Sequence, residues 1–204
     1  MCHSCLQDLP FIEYSCHKCG LPTQEDTTFC GHCLTHPPKN NLAVSIFHYR
    51  DPVDHLIQKM KYHNQLEIAD LMGALLVHKL EMLKHPLPQE IVPVPLHFSR
   101  LEQRGYNQAV EIGRAVSKQL KIPLNLTGCI RGRATQPQFE LTEDERRKNL
   151  KGAFEVVHQS PAKHVAIIDD VMTTGSTLNE LTQTLLDSGV EKVDIWTCSR
   201  ATLD

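Results

Sequence analysis

Residues 165–177 read Val-Ala-Ile-Ile-Asp-Asp-Val-Met-Thr-Thr-Gly-Ser-Thr, and they constrain the fold more than any other stretch of the chain. Four apolar residues predict a short buried strand, which ends in two adjacent carboxylates and a hydroxyl-rich turn around Gly175. Leu178, Leu181 and Leu185 then recur at helical spacing. The turn therefore opens a helix, whose free amides and positive dipole end attract an anion such as phosphate. Asp169 and Asp170 repel one another at a strand end unless hydrogen-bond donors or a cation satisfy them, and ribose hydroxyls are suitable donors. The residues themselves point to a sugar phosphate. Neither Gly-x-Gly-x-x-Gly nor Gly-Lys-Ser/Thr occurs anywhere in the chain, which sets aside the usual dinucleotide and P-loop signatures.

With 204 residues the chain can hold one medium α/β domain and a small appendage. A formal charge of −3 gives no general pull toward nucleic acid, so such binding would need a local patch. The N-terminus lacks the basic-then-apolar pattern of a secretory signal and no apolar run approaches a membrane span, so a cytoplasmic protein without membrane insertion is expected. Six of the eight cysteines fall within the first 33 residues, as three Cys-x-x-Cys pairs. In a reducing compartment that clustering argues for a closed, structural tetrahedral zinc site. Cys16, Cys19, Cys30 and Cys33 are the expected ligands, with Gly20 and Gly31 in the tight turns. Cys2 and Cys5 remain as a half-site or as alternative partners of Cys16 and Cys19. Cys129 and Cys198 read as small core residues.

Residues 36–41, His-Pro-Pro-Lys-Asn-Asn, form a stiff polar break. The expected division is a cysteine-rich zinc ribbon over residues 1–36 and an α/β domain over residues 37–204. Within the latter, strands are predicted at 42–49, 91–95, 124–130 and 193–198. Helices are predicted from Pro52 to Lys61, over 65–84, and from Asn107 with Ala109, Ile112, Val116 and Leu120 on one face. Lys61 is expected to be solvated by default, with a position facing the ligand as the alternative. The alternation implies a mostly parallel sheet with helices on both faces and a ligand at the carboxyl ends of the strands. Arg104 has the fork geometry to grip phosphate oxygens, and Gly105 lets the backbone approach them. From residue 97 to 151 there are eleven Lys and Arg against six Asp and Glu. Such a basic stretch can neutralise a diphosphate leaving group or hold single-stranded nucleic acid.

The strand, Asp-Asp and Thr-Thr-Gly-x-Thr block closely resembles the phosphoribosyl-diphosphate (PRPP) loop of type I phosphoribosyltransferases. More of the chain resembles the ComF/GntX family, named for competence and DNA utilisation. That likeness rests on Arg104-Gly105-Tyr106-Asn107-Gln108-Ala109, on Arg131-x-Arg133-x-Thr135-x-x-Gln138, and on Arg147-x-Asn149-x-x-x-Ala153-Phe154. The resemblance implies that Asp169 and Asp170 bind the ribose 2′- and 3′-hydroxyls. It implies that Thr173, Thr174, Gly175, Ser176 and Thr177 wrap the 5′-phosphate, and that residues 96–100 and Arg104 receive the diphosphate. Arg133, Arg146 and Asn149 fall in the segment corresponding to a catalytic loop that closes over PRPP. Residues 42–84 would form a hood, in which Lys61-Tyr62 matches a Lys-aromatic pair. Mg²⁺ is expected to accompany PRPP. The family's role implies handling of internalised single-stranded DNA alongside other competence proteins. The alternative is an active Mg²⁺-dependent transferase moving phosphoribose to a nitrogenous acceptor.

Overall fold

The apolar run at residues 165–168 is buried on both faces, which is why it reads as continuous rather than alternating. In the computed structural model, which describes residues 2–132 and 152–202, Val165 and Ile167 join one core with Leu178, Leu181 and Leu185. Ala166 and Ile168 join the other, with Met72, Leu76, Ile112 and Val116. The two-residue period of a strand thus sorts consecutive side chains into two separate cores.

In chain order the described elements are α1 (His3–Gln7), α2 (Gly31–Thr35), β1 (Leu42–His48), α3 (Val53–Tyr62), α4 (Glu67–Leu83), β2 (Glu90–Pro93) and α5 (Phe98–Arg104). They continue with α6 (Gln108–Leu120), β3 (Cys129–Arg131), β4 (Phe154–Val156), β5 (His164–Met172), α7 (Ser176–Asp187) and β6 (Lys192–Arg200). Strands β1, β6, β5 and β2 lie in that order in one sheet, every neighbouring pair parallel. Their carboxyl ends therefore meet at one edge. Helices α4 and α6 cover one face and α7 the other. Gly73 lets α4 and α6 meet closely, since a Cβ there would stand 2.5 Å from that of Ala115.

Local chemistry explains two departures from the expected elements. Residues 98–104, where no helix was predicted, form α5 because the His97 ring accepts from the Ser99 amide at 3.3 Å and caps the helix. Gly105, at φ +81°, ends it. The strand expected over 124–130 is broken early. Leu124 makes only a bridge to Ile91, and the Asn125 side chain then accepts from the amides of Thr127 (3.2 Å) and Gly128 (2.7 Å). That side-chain turn diverts the backbone, so β3 pairs antiparallel with β4, apart from the main sheet.

The cysteine-rich segment lies against the open edge of β1. Ile12 donates to Ile46 O at 2.8 Å, His48 to Pro10 O at 2.9 Å and Ala43 to His17 O at 2.7 Å. Leu9 enters the main core. The edge strand is thereby covered rather than left as a template for association. Among the described residues no helix is long and apolar enough to cross a membrane.

Candidate functional site

A cavity of about 970 Å³ opens at the carboxyl ends of the parallel strands. All four strands reach it, through Tyr49 after β1, Val94 after β2, Asp169 to Met172 in β5, and Ala201 after β6. Lys61 and Tyr62, at the end of α3, face it from one side; Arg100 and Arg104 of α5 and Gln108 of α6 face it from another.

Asp170 is 3% exposed and sits at the centre of a polar chain. Its Oδ2 lies 2.5 Å from Lys61 Nζ, and its Oδ1 accepts from Gln108 Nε2 at 3.4 Å. Gln108 Oε1 in turn accepts from Arg104. Asp169 is half-buried, and its Oδ1 accepts from the Asp170 amide at 2.9 Å. Environment drives the two carboxyls apart. Burial, then the charge of Asp170, pushes Asp169 well above the usual carboxylate range. Burial acts on Asp170 too, but the Lys61 ammonium outweighs it and holds that carboxyl below its ordinary value. Lys61 departs from the solvated default and takes the alternative, a position facing the cavity. Its side chain is only 21% exposed and paired, because the last turn of α3 brings it to Asp170 near the carboxyl end of β5.

The turn after β5 prepares the start of α7. Gly175 occupies the cap position at φ +79°, and a Cβ there would stand 3.0 Å from Met172 Cε. Thr173, Gly175, Ser176 and Thr177 line the cavity. Thr174 instead turns to its neighbour, its Oγ1 lying 2.8 Å from Ser176 Oγ. Main-chain amides, hydroxyls and a helix N-terminus converge here beside the two carboxylates, a combination suited to a phosphate joined to a vicinal diol.

Positive charge surrounds the other end of the cavity. The Arg104 guanidinium lies 5.4 Å from the centroid of the Tyr62 ring, and Tyr106 donates to Met60 O, fastening the α5–α6 turn to α3. Asn107 caps α6 through Ala109 N (3.0 Å) and donates to Val94 O (2.9 Å), tying that helix to the end of β2. Arg131 also lines the cavity, its guanidinium 5.6 Å from the Phe154 ring centroid. Arg133, Arg146 and Asn149 lie outside the described residues.

Cys16, Cys19, Cys30 and Cys33 bring their sulfurs within 4.8 Å of one another, and Cys19 Sγ is 3.6 Å from Cys30 Sγ. Sulfurs of a tetrahedral site with bonds of about 2.3 Å stand about 3.8 Å apart, so the spacing fits a metal ion. Burial pushes the Cys19 thiol up to about 12 and raises that of Cys33 as well. Such thiols ionise together only if a cation compensates them. The Cys30 amide donates to Cys16 Sγ at 3.2 Å, a bond suited to a thiolate. Cys2 and Cys5 are exposed and lie outside this group.

Four contributors were not evident as such in the sequence. Gln108 read only as a helix start and Lys61 by default as a solvated lysine, while Arg131 belonged to a motif in which Arg133 was preferred. Arg200 lies beyond the strand predicted at 193–198 and gave no signal, yet it is 5% exposed. Its Nε donates to Cys19 O at 2.9 Å, and its Nη1 donates to Met172 O at 3.1 Å and to Thr173 O.

The family model for the phosphoribosyl transferase domain matches residues 107–200, from the cap of α6 to Arg200. Competence protein F of Haemophilus influenzae is 38% identical over 209 residues, which cover 98% of this chain and 90% of that protein. DNA utilization protein YhgH of Escherichia coli strain K12 is 34% identical over 204 residues, again covering 98% and 90%. Among solved structures, adenine phosphoribosyltransferase of Leishmania tarentolae aligns with 94% of this chain and 69% of its own at 18% identity and a TM-score of 0.42. Near-complete coverage by relatives above 30% identity, together with the matched domain, places the chain in the ComF family of phosphoribosyltransferase-like proteins.

Proposed function

We propose that the cavity binds PRPP with Mg²⁺ and that the protein uses this ligand in the cytoplasmic handling of internalised single-stranded DNA, alongside other competence proteins. One observation carries the ligand assignment. The buried Asp170, its neighbour Asp169 and the Thr173–Thr177 turn share one cavity edge with a helix N-terminus. In this reading Asp169 and Asp170 accept from the ribose 2′- and 3′-hydroxyls. Thr173, Thr174, Gly175, Ser176 and Thr177 surround the 5′-phosphate, and Arg104 faces the diphosphate. Mg²⁺ would be held chiefly by diphosphate and water, lowering the charge of the leaving group. The four cysteines hold structural zinc, as the donor set and sulfur spacing suit.

The role in DNA handling is supported by the names of the two relatives and by the local excess of Lys and Arg over residues 97–151. The second reading is a transferase, in which a nitrogenous acceptor bonds to C1′ as the bond from C1′ to diphosphate breaks. The paired carboxyls and the Arg104 side of the cavity favour positioning and charge stabilisation over proton abstraction. Arg133, Arg146 and Asn149 are its proposed catalytic residues.

Diphosphate release from PRPP with Mg²⁺ and a panel of nitrogenous bases separates the two. The favoured reading expects PRPP to bind with no base-dependent turnover, and base-dependent diphosphate release would establish the transferase. For DNA, affinity for a single-stranded oligonucleotide should fall with added salt and on replacing Arg146 and Arg147. Indifference to both would refute the basic stretch as its binding surface.

A further inference from the structure

Arg200 stands between the two sites described above. It is the last residue of β6, it is 5% exposed, and every hydrogen bond its side chain makes among the described residues ends on a main-chain carbonyl. On one side Nε donates to the carbonyl of Cys19, a residue of the four-cysteine cluster. That carbonyl is set by the knuckle itself, where Gly20 N donates to Cys16 O at 2.8 Å and Cys16 N to Leu21 O at 2.9 Å. On the other side Nη1 donates to Met172 O, Thr173 O and Ala201 O. The carbonyl and amide of a trans peptide point in opposite directions. Holding the Met172 and Thr173 carbonyls from behind therefore turns the Thr173 and Thr174 amides away from the guanidinium, toward the side where Thr173 lines the cavity.

Charge gives the arrangement a direction. The guanidinium is buried, its side-chain hydrogen bonds end on neutral carbonyls, and among the described residues no carboxylate pairs with it, whereas the cysteine cluster lies just beyond the Cys19 carbonyl it holds. One Zn²⁺ with four thiolates carries a net charge of about −2. A loaded cluster therefore compensates the buried cation, whereas four neutral thiols do not.

We propose that Arg200 is a positioning residue that makes the shape of the 172–176 turn depend on metal in the four-cysteine site. The inference rests on the reading above that the cluster holds zinc and the turn holds a sugar phosphate. Metal occupancy draws the guanidinium toward the knuckle in a fixed orientation, and the same fork sets the backbone on which the phosphate amides lie. The cysteine site then contributes to ligand affinity as well as to stability.

Hydrogen exchange on the full-length zinc-loaded protein tests this without any ligand. Removing zinc with a chelator should speed exchange of the 172–176 amides at least tenfold, while the interior of β5 around residues 165–168 stays protected. In zinc-loaded Arg200→Lys, which keeps the charge but cannot span both sets of carbonyls, those amides should exchange fast from the start, and zinc removal should add little. Linkage supplies a second readout: saturating PRPP should raise the apparent zinc affinity of the wild type, by chelator competition, about fivefold or more, and should not do so in Arg200→Lys. Exchange at 172–176 that ignores zinc overturns the proposal, even if no Arg200 variant folds. A rise spread equally over β5 also counts against it, since that is a structural role only. Absence of PRPP binding to the wild type would instead sink the ligand assignment, leaving the exchange result to decide the coupling.

Discussion

Replacing Lys61 by Met removes the ammonium from the most buried ion pair near the cavity. Asp170 is then left beside Asp169, with Gln108 at 3.4 Å as its remaining side-chain donor among the described residues. Breaking a buried pair by removing one partner costs about 3–5 kcal/mol. The side chains of Lys61 and Asp170 are 21% and 4% exposed, and solvent at the lysine brings the expected loss to about 2–3 kcal/mol. For a chain of this size that corresponds to a fall in Tm of about 5–10 °C. The sign of the pH dependence follows from Asp170, which the pair holds below its ordinary value. Its stabilisation is present above the unfolded carboxyl pKa of about 3.9 and is lost as pH falls through the lower folded value. The gap between wild type and Lys61→Met should therefore be full at pH 7 and narrow below about pH 4. Urea unfolding at both pH values, repeated in an Asp170→Asn background, isolates the pair. A loss under about 0.5 kcal/mol at pH 7, or the same loss in both backgrounds, refutes the reasoning.

Asp169→Asn should act in the opposite direction on stability. A carboxyl raised by burial and by Asp170 penalises the folded state above its unfolded pKa, so the variant should gain about 1–2 kcal/mol at pH 7 by urea unfolding and nothing below about pH 4. The same change should weaken binding of ribose 5-phosphate by calorimetry, because it replaces a carboxylate oxygen of the proposed diol site with an amide donor. Gly175→Ala places a side chain at φ +79° and 3.0 Å from Met172 Cε, so it should cost about 1–2 kcal/mol and lower ribose 5-phosphate affinity more than it lowers Tm. Metal analysis of purified Cys33→Ser should show loss of bound zinc, whereas Cys5→Ser should retain the wild-type stoichiometry.

Most of the fold was legible because β5 and α7 carry periodicities that admit few alternatives. Val165 to Ile168 could only be a strand covered on both faces, and Leu178, Leu181 and Leu185 only one face of a helix. The 124–130 strand was misjudged because Asn125 spends its side chain on a local turn, a contest between side chain and ladder that apolar content does not reveal. Helix α5 was missed for a related reason, since its cap is a histidine rather than the usual hydroxyl or carboxylate. At the cavity, Asp169, Asp170 and Gly175 announced themselves through adjacency and turn chemistry. Lys61 and Arg200 did not, because their partners lie 109 and 181 positions away in the chain. Long-range pairing of a cation with a carboxylate or a carbonyl leaves no local pattern to read.

Equilibrium binding of PRPP with Mg²⁺, followed calorimetrically for the wild type and for Asp170→Asn, bears most directly on the assignment of the cavity. The account predicts saturable one-site binding to the wild type and, with one charged acceptor for a ribose hydroxyl removed, an affinity about 10–100-fold lower in the variant. Equal affinities for the two proteins, or no binding to the wild type, would contradict it.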